Sequence, residues 1–185
     1  MPKDSSRIEI LTGDITTLTV GVIVNAANAS LLGGGGVDGA IHRAAGSRLL
    51  EHNQAMGGCP TGQARLTPAF DLERQGIKHI IHAVGPVWDS ASAREEAPIG
   101  TRTEDQLLAC CYDAAMALAD SVGAVSIAFP AISTGVYGFP KARAAHIALR
   151  RIGAWLADRE HPRKAVICCF SESDANIYRN LPHPP

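Results

Sequence analysis

Along the chain, short stretches of alternating or β-branched apolar residues take turns with longer stretches of helical period. Residues 7–11 (Arg, Ile, Glu, Ile, Leu) alternate and 20–24 is rich in Val and Ile, which predicts two strands. Over 38–52, Ile41, Ala44, Ala45 and Leu49 recur at helical spacing, so one helix is predicted, entered directly from the run Gly33-Gly34-Gly35-Gly36. Residues 64–67 and 78–84 predict further strands, and the Ala- and Leu-rich 105–119 predicts a helix. A strand over 125–129 ends at Pro130 before the loop Ser133-Thr134-Gly135-Val136-Tyr137-Gly138, and helical period resumes over 142–156. The last strand is predicted over 164–170. Ser171-Glu172-Ser173-Asp174 then has the S-x-x-D form of a helix start, with a short helix ending before Pro182. Strands alternating with helices predict an α/β fold, a three-layer α/β/α sandwich with a mixed central sheet. Ligands of such sheets bind outside the carboxyl ends of the strands. No repeat of about 20–50 residues is present, which excludes solenoids and propellers. The small, polar stretch 89–100 lacks periodicity and is predicted to be a surface loop.

The 185 residues predict a single domain with its core over about 8–181. Composition narrows the function classes: 17 Lys plus Arg against 18 Asp plus Glu leave no bulk field to attract a polyanion. No basic stripe with interleaved aromatics is visible, so nucleic acid is not expected as a partner. No apolar stretch approaches the roughly 18 residues of a membrane span, and the start of the chain lacks an apolar signal core. The cytoplasm is therefore the expected compartment. Cys59, Cys110, Cys111, Cys168 and Cys169 show no C-x-x-C spacing and are read as reduced and mostly buried. With no H-x-x-x-H or E-x-x-H pair either, neither a metal nor a cofactor is expected.

Gly34-Gly35-Gly36-Val37-Asp38-Gly39 satisfies G-x-G-x-x-G literally. It is not read as a dinucleotide fingerprint, because eight residues, 26–33, separate it from the preceding strand and no strand ending in an acid follows about 20 residues on. A Walker motif is excluded too, since no G-K-S or G-K-T follows either glycine loop. What remains is the physics glycine loops share: without Cβ atoms the backbone approaches a ligand closely, and several N–H groups converge on phosphate oxygens. Four consecutive glycines lose much chain entropy on folding, and the helix behind them adds its positive end. Two such loops facing each other would grip a diphosphate without needing Lys or Arg.

Six ordered motifs sharpen this reading: Gly13-Asp14-Ile15-Thr16, Val24-Asn25-Ala26-Ala27-Asn28, GGGGVDGAIHRAAG over 33–46, Cys59-Pro60-Thr61-Gly62, His82-Ala83-Val84-Gly85-Pro86, and PAISTGVYG over 130–138. Over essentially the whole chain, about 8–181, the sequence resembles a macrodomain of the MacroD type. The resemblance implies a cleft for ADP-ribose at the top of an α/β/α sandwich. It also implies hydrolysis of esters at the distal ribose, in O-acetyl-ADP-ribose and in mono-ADP-ribosyl groups on acidic side chains of proteins. On this pattern Asp14 accepts a hydrogen bond from the adenine amino group, assisted by the Ile15 amide; a carboxylate suits an exocyclic amine, which only donates. Helix N-capping by Asp14 is an equally sound and compatible role. Phe170 matches an aromatic that stacks on adenine, with a core position as its plain alternative.

The resemblance further implies that Asn28 and Asp38 flank the distal ribose as the catalytic pair, Asn28 orienting a ribose hydroxyl and Asp38 holding or deprotonating the attacking water. Gly33, Gly34, Gly35, Gly36 and Val37 form one wall of the diphosphate site. Ser133, Thr134, Gly135, Val136 and Tyr137 form the other, with Tyr137 closing over the ribose. Asn25 is read as a structural bracket, its side chain tying the strand end to neighbouring backbone. His42, four residues after Asp38, either touches the site or is an ordinary half-buried histidine. Cys59 lacks an activating base and is not read as a nucleophile. Gly58 replaces an acid common in the pattern, and 89–100 is longer than usual, so substrate preference is left open. The implied partners are ADP-ribose, its esters and mono-ADP-ribosylated proteins, and a monomer is expected. Two classes remain: a hydrolase, favoured because Asn28 and Asp38 are both present, and a reader that binds ADP-ribose without turnover. An RNA-associated regulator is the weaker third.

Overall fold

The computed structural model describes residues 7–90 and 97–182. Six strands form one sheet: β1 (Ile8–Thr12), β2 (Val22–Ala27), β3 (Ala64–Pro68), β4 (His79–Val84), β5 (Ser126–Phe129) and β6 (Lys164–Cys169). Their spatial order is β1-β6-β5-β2-β4-β3, and only β3 runs antiparallel to its neighbour, giving the mixed sheet that the alternating pattern predicts. The helices are α1 (Gly36–Ala45), α2 (Ser47–Met56), α3 (Thr103–Ser121), α4 (Lys141–Asp158) and α5 (Glu172–Arg179). Two 3₁₀ turns, Ile15–Thr17 and Phe70–Gln75, complete the described elements.

Both faces of the sheet are covered, and β2 shows how. Its side chains alternate between layers: Val22 and Val24 pack with Leu108, Tyr112, Ile147 and Ala175 of α3, α4 and α5, while Ile23 packs with Ile41, Ala45 and Leu49 of α1 and α2. Full burial of Ile23, Ile41 and Leu49 contributes about 1.5–3 kcal/mol each. A strand buried on both faces reads as a nearly unbroken apolar run, and that run is interrupted in β2 by one polar residue, Asn25.

The predicted helix over 38–52 is corrected to two helices. Gly46 adopts φ 84 and ψ 176, which ends α1 and starts α2, and a Cβ there would lie 2.5 Å from Asp71 Oδ2. The apolar spacing is continuous through the break, so periodicity could not reveal it. α1 also begins at Gly36, two residues before the predicted start, which places Asp38 in its first turn. β2 runs on to Ala27 beyond the predicted 20–24, and β6 stops at Cys169, one residue before Phe170. Ser171 Oγ caps α5 by accepting from the Asp174 amide at 3.2 Å, as the spacing predicts, while the Asp174 carboxylate takes Lys141 Nζ at 2.6 Å. Of the predicted loop over 89–100, residues 91–96 lie outside the described residues. Its described end is held by Arg143, which donates to the carbonyls of Ala97 (2.8 Å) and Pro98 (3.1 Å).

Strands β2 and β5 are parallel neighbours whose connections depart in opposite directions, β2 toward β3, on the far side of β4, and β5 toward β6. Loops leaving such a pair diverge and open a crevice at the carboxyl ends, the place where open α/β sheets bind ligands.

Candidate functional site

Four segments singled out by the sequence all follow the carboxyl ends of parallel strands that are contiguous in the sheet. Asp14 and Ile15 follow β1, Phe170 follows β6, Ser133 to Tyr137 follow β5, and Asn28 with the glycine run follows β2. With strands about 4.8 Å apart, the four ends span roughly 14 Å along one rim.

At the β1 and β6 end, Thr12 is in register with Cys169 and the Gly13 amide donates to the Cys169 carbonyl at 3.1 Å, which sets Asp14 beside Phe170. Asp14 caps the first 3₁₀ turn: its Oδ1 accepts from the Thr16 amide (2.9 Å) and hydroxyl (2.7 Å). The cap occupies one carboxylate oxygen, and Oδ2 is free of hydrogen bonds among the described residues. Phe170 is not a core residue: it is 95% exposed, and Val136 on the neighbouring loop is 101% exposed. Two large apolar side chains bare to solvent on one rim mark a surface suited to an apolar or aromatic partner.

The loop after β5 is built from turns. The Thr134 hydroxyl donates to the Ala131 carbonyl at 2.9 Å and the Gly138 amide to the Gly135 carbonyl at 2.9 Å. Ser133 takes φ 66, a sparsely populated region for a non-glycine residue, with its Oγ buried and unpartnered among the described residues. Strain and an orphaned polar atom together are features that cluster at ligand clamps. The Trp88 amide donates to the Tyr137 carbonyl at 2.8 Å, and the Trp88 ring packs at a tilt against Phe139 (centroids 4.8 Å apart) and carries the Arg102 guanidinium over its face (4.1 Å). The loop bearing Tyr137 is thereby tied to the segment leaving β4. Sequence reasoning assigned Trp88 no part in this, since a lone Trp beside a polar loop has no periodic signal.

Asn28 and Asp38 converge around Gly34. A Cβ on Gly34 would lie 3.2 Å from Asp38 Oδ2 and 3.4 Å from Asn28 Nδ2, so both side chains border the same small space. Asn28 is oriented from both ends: Nδ2 donates to the Gly33 carbonyl at 3.0 Å, and Oδ1 accepts from the Ser30 amide at 3.1 Å and hydroxyl at 2.5 Å. Asp38 is 5% exposed in the first turn of α1, where the helix dipole favours a carboxylate. Its Oδ1 accepts from Asn25 Nδ2 at 2.7 Å. His42 Nε2 lies 3.4 Å from the same oxygen without hydrogen-bonding alignment. Asn25 is thus a bracket for the Asp38 side chain and not, as predicted, for neighbouring backbone. Val37 is half-buried and packs against the core on the α1 side of the sheet.

Cys59 is buried, and desolvation raises its thiol pKa, which agrees with excluding it as a nucleophile. All five cysteines are free; four are buried and Cys110 is exposed. At Gly58 a Cβ would lie 2.7 Å from the Ala29 carbonyl oxygen, so an acid at this position would need a shifted loop. Among the described residues no group of three or more His, Cys, Asp and Glu side chains could hold a metal ion, and no helix is long and apolar enough to cross a membrane.

Comparison with known proteins agrees with this geometry. The Macro domain family model matches residues 24–148. An O-acetyl-ADP-ribose deacetylase of Escherichia fergusonii is 49% identical over 180 residues, covering 95% of each chain. A macro domain-containing protein of Chlorobaculum tepidum is 47% identical over 176 residues, again covering 95% of each. Among solved structures, the Oceanobacillus iheyensis macrodomain with ADP superposes with a TM-score of 0.82 at 44% identity, over 93% of this chain and 87% of that one. The Trypanosoma brucei macrodomain in complex with ADP-ribose gives 0.80 at 37% identity, over 93% of this chain and 67% of that one. The chain belongs to the Macro domain family.

Proposed function

We propose that the chain is an ADP-ribose-binding hydrolase that cleaves esters at the distal ribose, an O-acetyl-ADP-ribose deacetylase that also removes mono-ADP-ribose from acidic protein side chains. The observation that carries this reading is the order of residues along the rim. From β1 to β2 the strand ends present an acid beside an exposed aromatic, a turn-built loop, and a glycine run bordering an oriented carboxylate. ADP-ribose has the same order of parts: an aromatic base with an exocyclic amine, a diphosphate, and a ribose bearing the ester. Relatives of high identity named as O-acetyl-ADP-ribose deacetylases, and solved macrodomains with ADP or ADP-ribose bound, support the same ligand.

On this reading Asp14 accepts from the adenine amine, the Ile15 amide donates to an adenine ring nitrogen, and Phe170 stacks on the base. The amides of Gly33, Gly34, Gly35, Gly36 and Val37 face those of Ser133, Thr134, Gly135 and Val136 across the diphosphate, and the N-terminus of α1 supplies positive potential. Tyr137 closes over the distal ribose. Asn28, oriented by Ser30 and Gly33, has one N–H left for a ribose hydroxyl. Asp38 Oδ1 is committed to Asn25, so Oδ2, on the Gly34 side, is the oxygen that orients water. Attack of that water on the ester carbonyl, with Asp38 accepting its proton and passing it to the departing ribose oxygen, breaks the bond between the acyl carbon and that oxygen and releases acetate or the protein carboxylate together with ADP-ribose. The cytoplasm is the proposed compartment, in keeping with five free cysteines.

A reader would need the same rim but no oriented carboxylate. Calorimetric titration with ADP-ribose, followed by a time course on O-acetyl-ADP-ribose, separates the two. Saturable binding with release of acetate supports the hydrolase, binding without release supports the reader, and absence of binding refutes both.

A further inference from the structure

Beneath Asp38 lies a row of buried polar side chains crossing three strands. Asn25 on β2, His82 on β4 and Thr67 on β3 are each 0% exposed, and Asn25 and His82 are partners in the parallel register. All three sit on the α1 side of the sheet, Asn25 with the parity of Ile23 and His82 with that of Ile80. Asn25 Nδ2 contacts Asp38 Oδ1 at 2.7 Å and His82 Nδ1 at 3.0 Å; His82 Nε2 contacts Thr67 Oγ1 at 3.2 Å, which lies 3.4 Å from the Ile80 carbonyl oxygen.

The two ends of this chain determine its direction. A carboxylate and a backbone carbonyl accept only, and an amide nitrogen donates only. Asn25 therefore gives one proton to Asp38 and the other to His82 Nδ1. The imidazole must then carry its own proton on Nε2, donating it to Thr67, whose hydroxyl donates onward to Ile80. Turning the Asn25 amide over would set Oδ1 against the Asp38 carboxylate, and the present orientation is kept although it leaves Oδ1 buried without a partner among the described residues.

We propose that His82 is a positioning residue for the hydrolytic reaction: with its proton held on Nε2 by Thr67, it fixes the Asn25 amide and, through it, the rotamer of the Asp38 carboxylate. This inference rests on the assignment of Asp38 above. The groups around His82 agree with it. α1 presents Asp38 and the His42 ring, whose centroid is 6.2 Å away, and α2 contributes His52. On β3, Arg65 is in register with His82 but turns its guanidinium to the Ala64 carbonyl and Gln63. Burial, and then the neighbouring imidazoles of His42 and His52, push the His82 pKa down to about 3, so the single-proton form persists across working pH.

The test compares His82→Phe, which removes the acceptor, with His82→Asn, which offers an amide oxygen in its place. On O-acetyl-ADP-ribose, His82→Phe loses about tenfold or more in kcat while the Kd for ADP-ribose stays within about twofold, and His82→Asn recovers most of the loss. A folded His82→Phe variant with wild-type kcat, or one whose loss lies entirely in Kd, overturns the proposal. Should His82→Phe fail to fold, Thr67→Val reads the same row: a fall in kcat at constant Kd supports it, and an unchanged kcat overturns it. Independently of turnover, long-range ¹H–¹⁵N correlation spectra from about pH 5 to about pH 8 show His82 as the Nε2–H tautomer; an Nδ1–H or charged ring overturns the proposal. A wild-type chain that leaves the ester intact, or an Asp38→Ala variant as active as wild type, refutes the assignment of Asp38 instead, and the tautomer then decides whether the row exists as described.

Discussion

Gly39 and Gly34 approach so closely that a Cβ on Gly39 would lie 2.5 Å from the Gly34 carbonyl oxygen. The contact joins the end of the first turn of α1 to the middle of the glycine run. The loop that borders Asn28 and Asp38 is therefore seated on the helix rather than suspended above it. Gly39→Ala must push the loop outward, at a cost of about 1–3 kcal/mol in stability. Because Gly34 moves with it, ADP-ribose affinity falls as well. A Gly39→Ala variant with wild-type affinity in calorimetry would show that the run does not shape the ligand site.

Phe170 is 95% exposed, so its removal leaves the fold intact. Phe170→Ala is expected to weaken ADP-ribose binding by about 1–3 kcal/mol, the range of base–aromatic stacking, with an unchanged melting temperature. Asp14→Asn keeps an oxygen to cap the 3₁₀ turn while discarding the charge. It is expected to weaken ADP-ribose more than it weakens ribose 5-phosphate, which lacks the base; equal losses for the two ligands contradict the adenine assignment.

Asp105 and Arg143 form a buried pair, Nε to Oδ1 at 2.7 Å and Nη2 to Oδ2 at 2.6 Å. The Asp105 side chain is 0% exposed and that of Arg143 9%, and Arg143 also holds the carbonyls of Ala97 and Pro98. Asp105→Ala leaves a buried guanidinium unpaired, at about 3–5 kcal/mol. Thermal unfolding should show a fall of roughly 10 °C. Wild-type stability in that variant would mean that water reaches the guanidinium.

His82 predicts an acid dependence of stability. Its folded pKa is lowered from 6.5 to about 3, so between these values the unfolded chain takes up a proton that the folded chain refuses. Stability therefore falls as pH drops below 6.5, by up to about 1.4 kcal/mol per pH unit from this group. Urea unfolding of wild type and His82→Asn at about pH 7 and about pH 5 measures it: the wild type loses more between the two, and parallel losses contradict a neutral buried imidazole.

Much of the rim was legible in the sequence because strand ends and glycine loops have local signatures. The run 33–36, the turn 133–138 and the Ser171 cap each announce themselves within a few residues. The break at Gly46 did not, since Ile41, Ala45 and Leu49 keep helical spacing through it and the side chain that crowds Gly46, Asp71, is 25 residues away on a 3₁₀ turn. The polar row was also hidden. Asn25, His82 and Thr67 are far apart in the chain, and only the register of β2, β4 and β3 brings them together. The available signals were two polar residues inside otherwise apolar strands, Asn25 in β2 and His82 in β4. Phe170 sits where a buried strand residue would, yet β6 ends one residue earlier and leaves it bare.

The most direct measurement is the pair of numbers obtained from Asp38→Ala: the rate of acetate release from O-acetyl-ADP-ribose and the calorimetric Kd for ADP-ribose. Asp38 as the group that orients water predicts a rate lower by about two to four orders of magnitude with affinity nearly kept. A rate equal to wild type, or a rate loss matched by an equal loss of affinity, contradicts it.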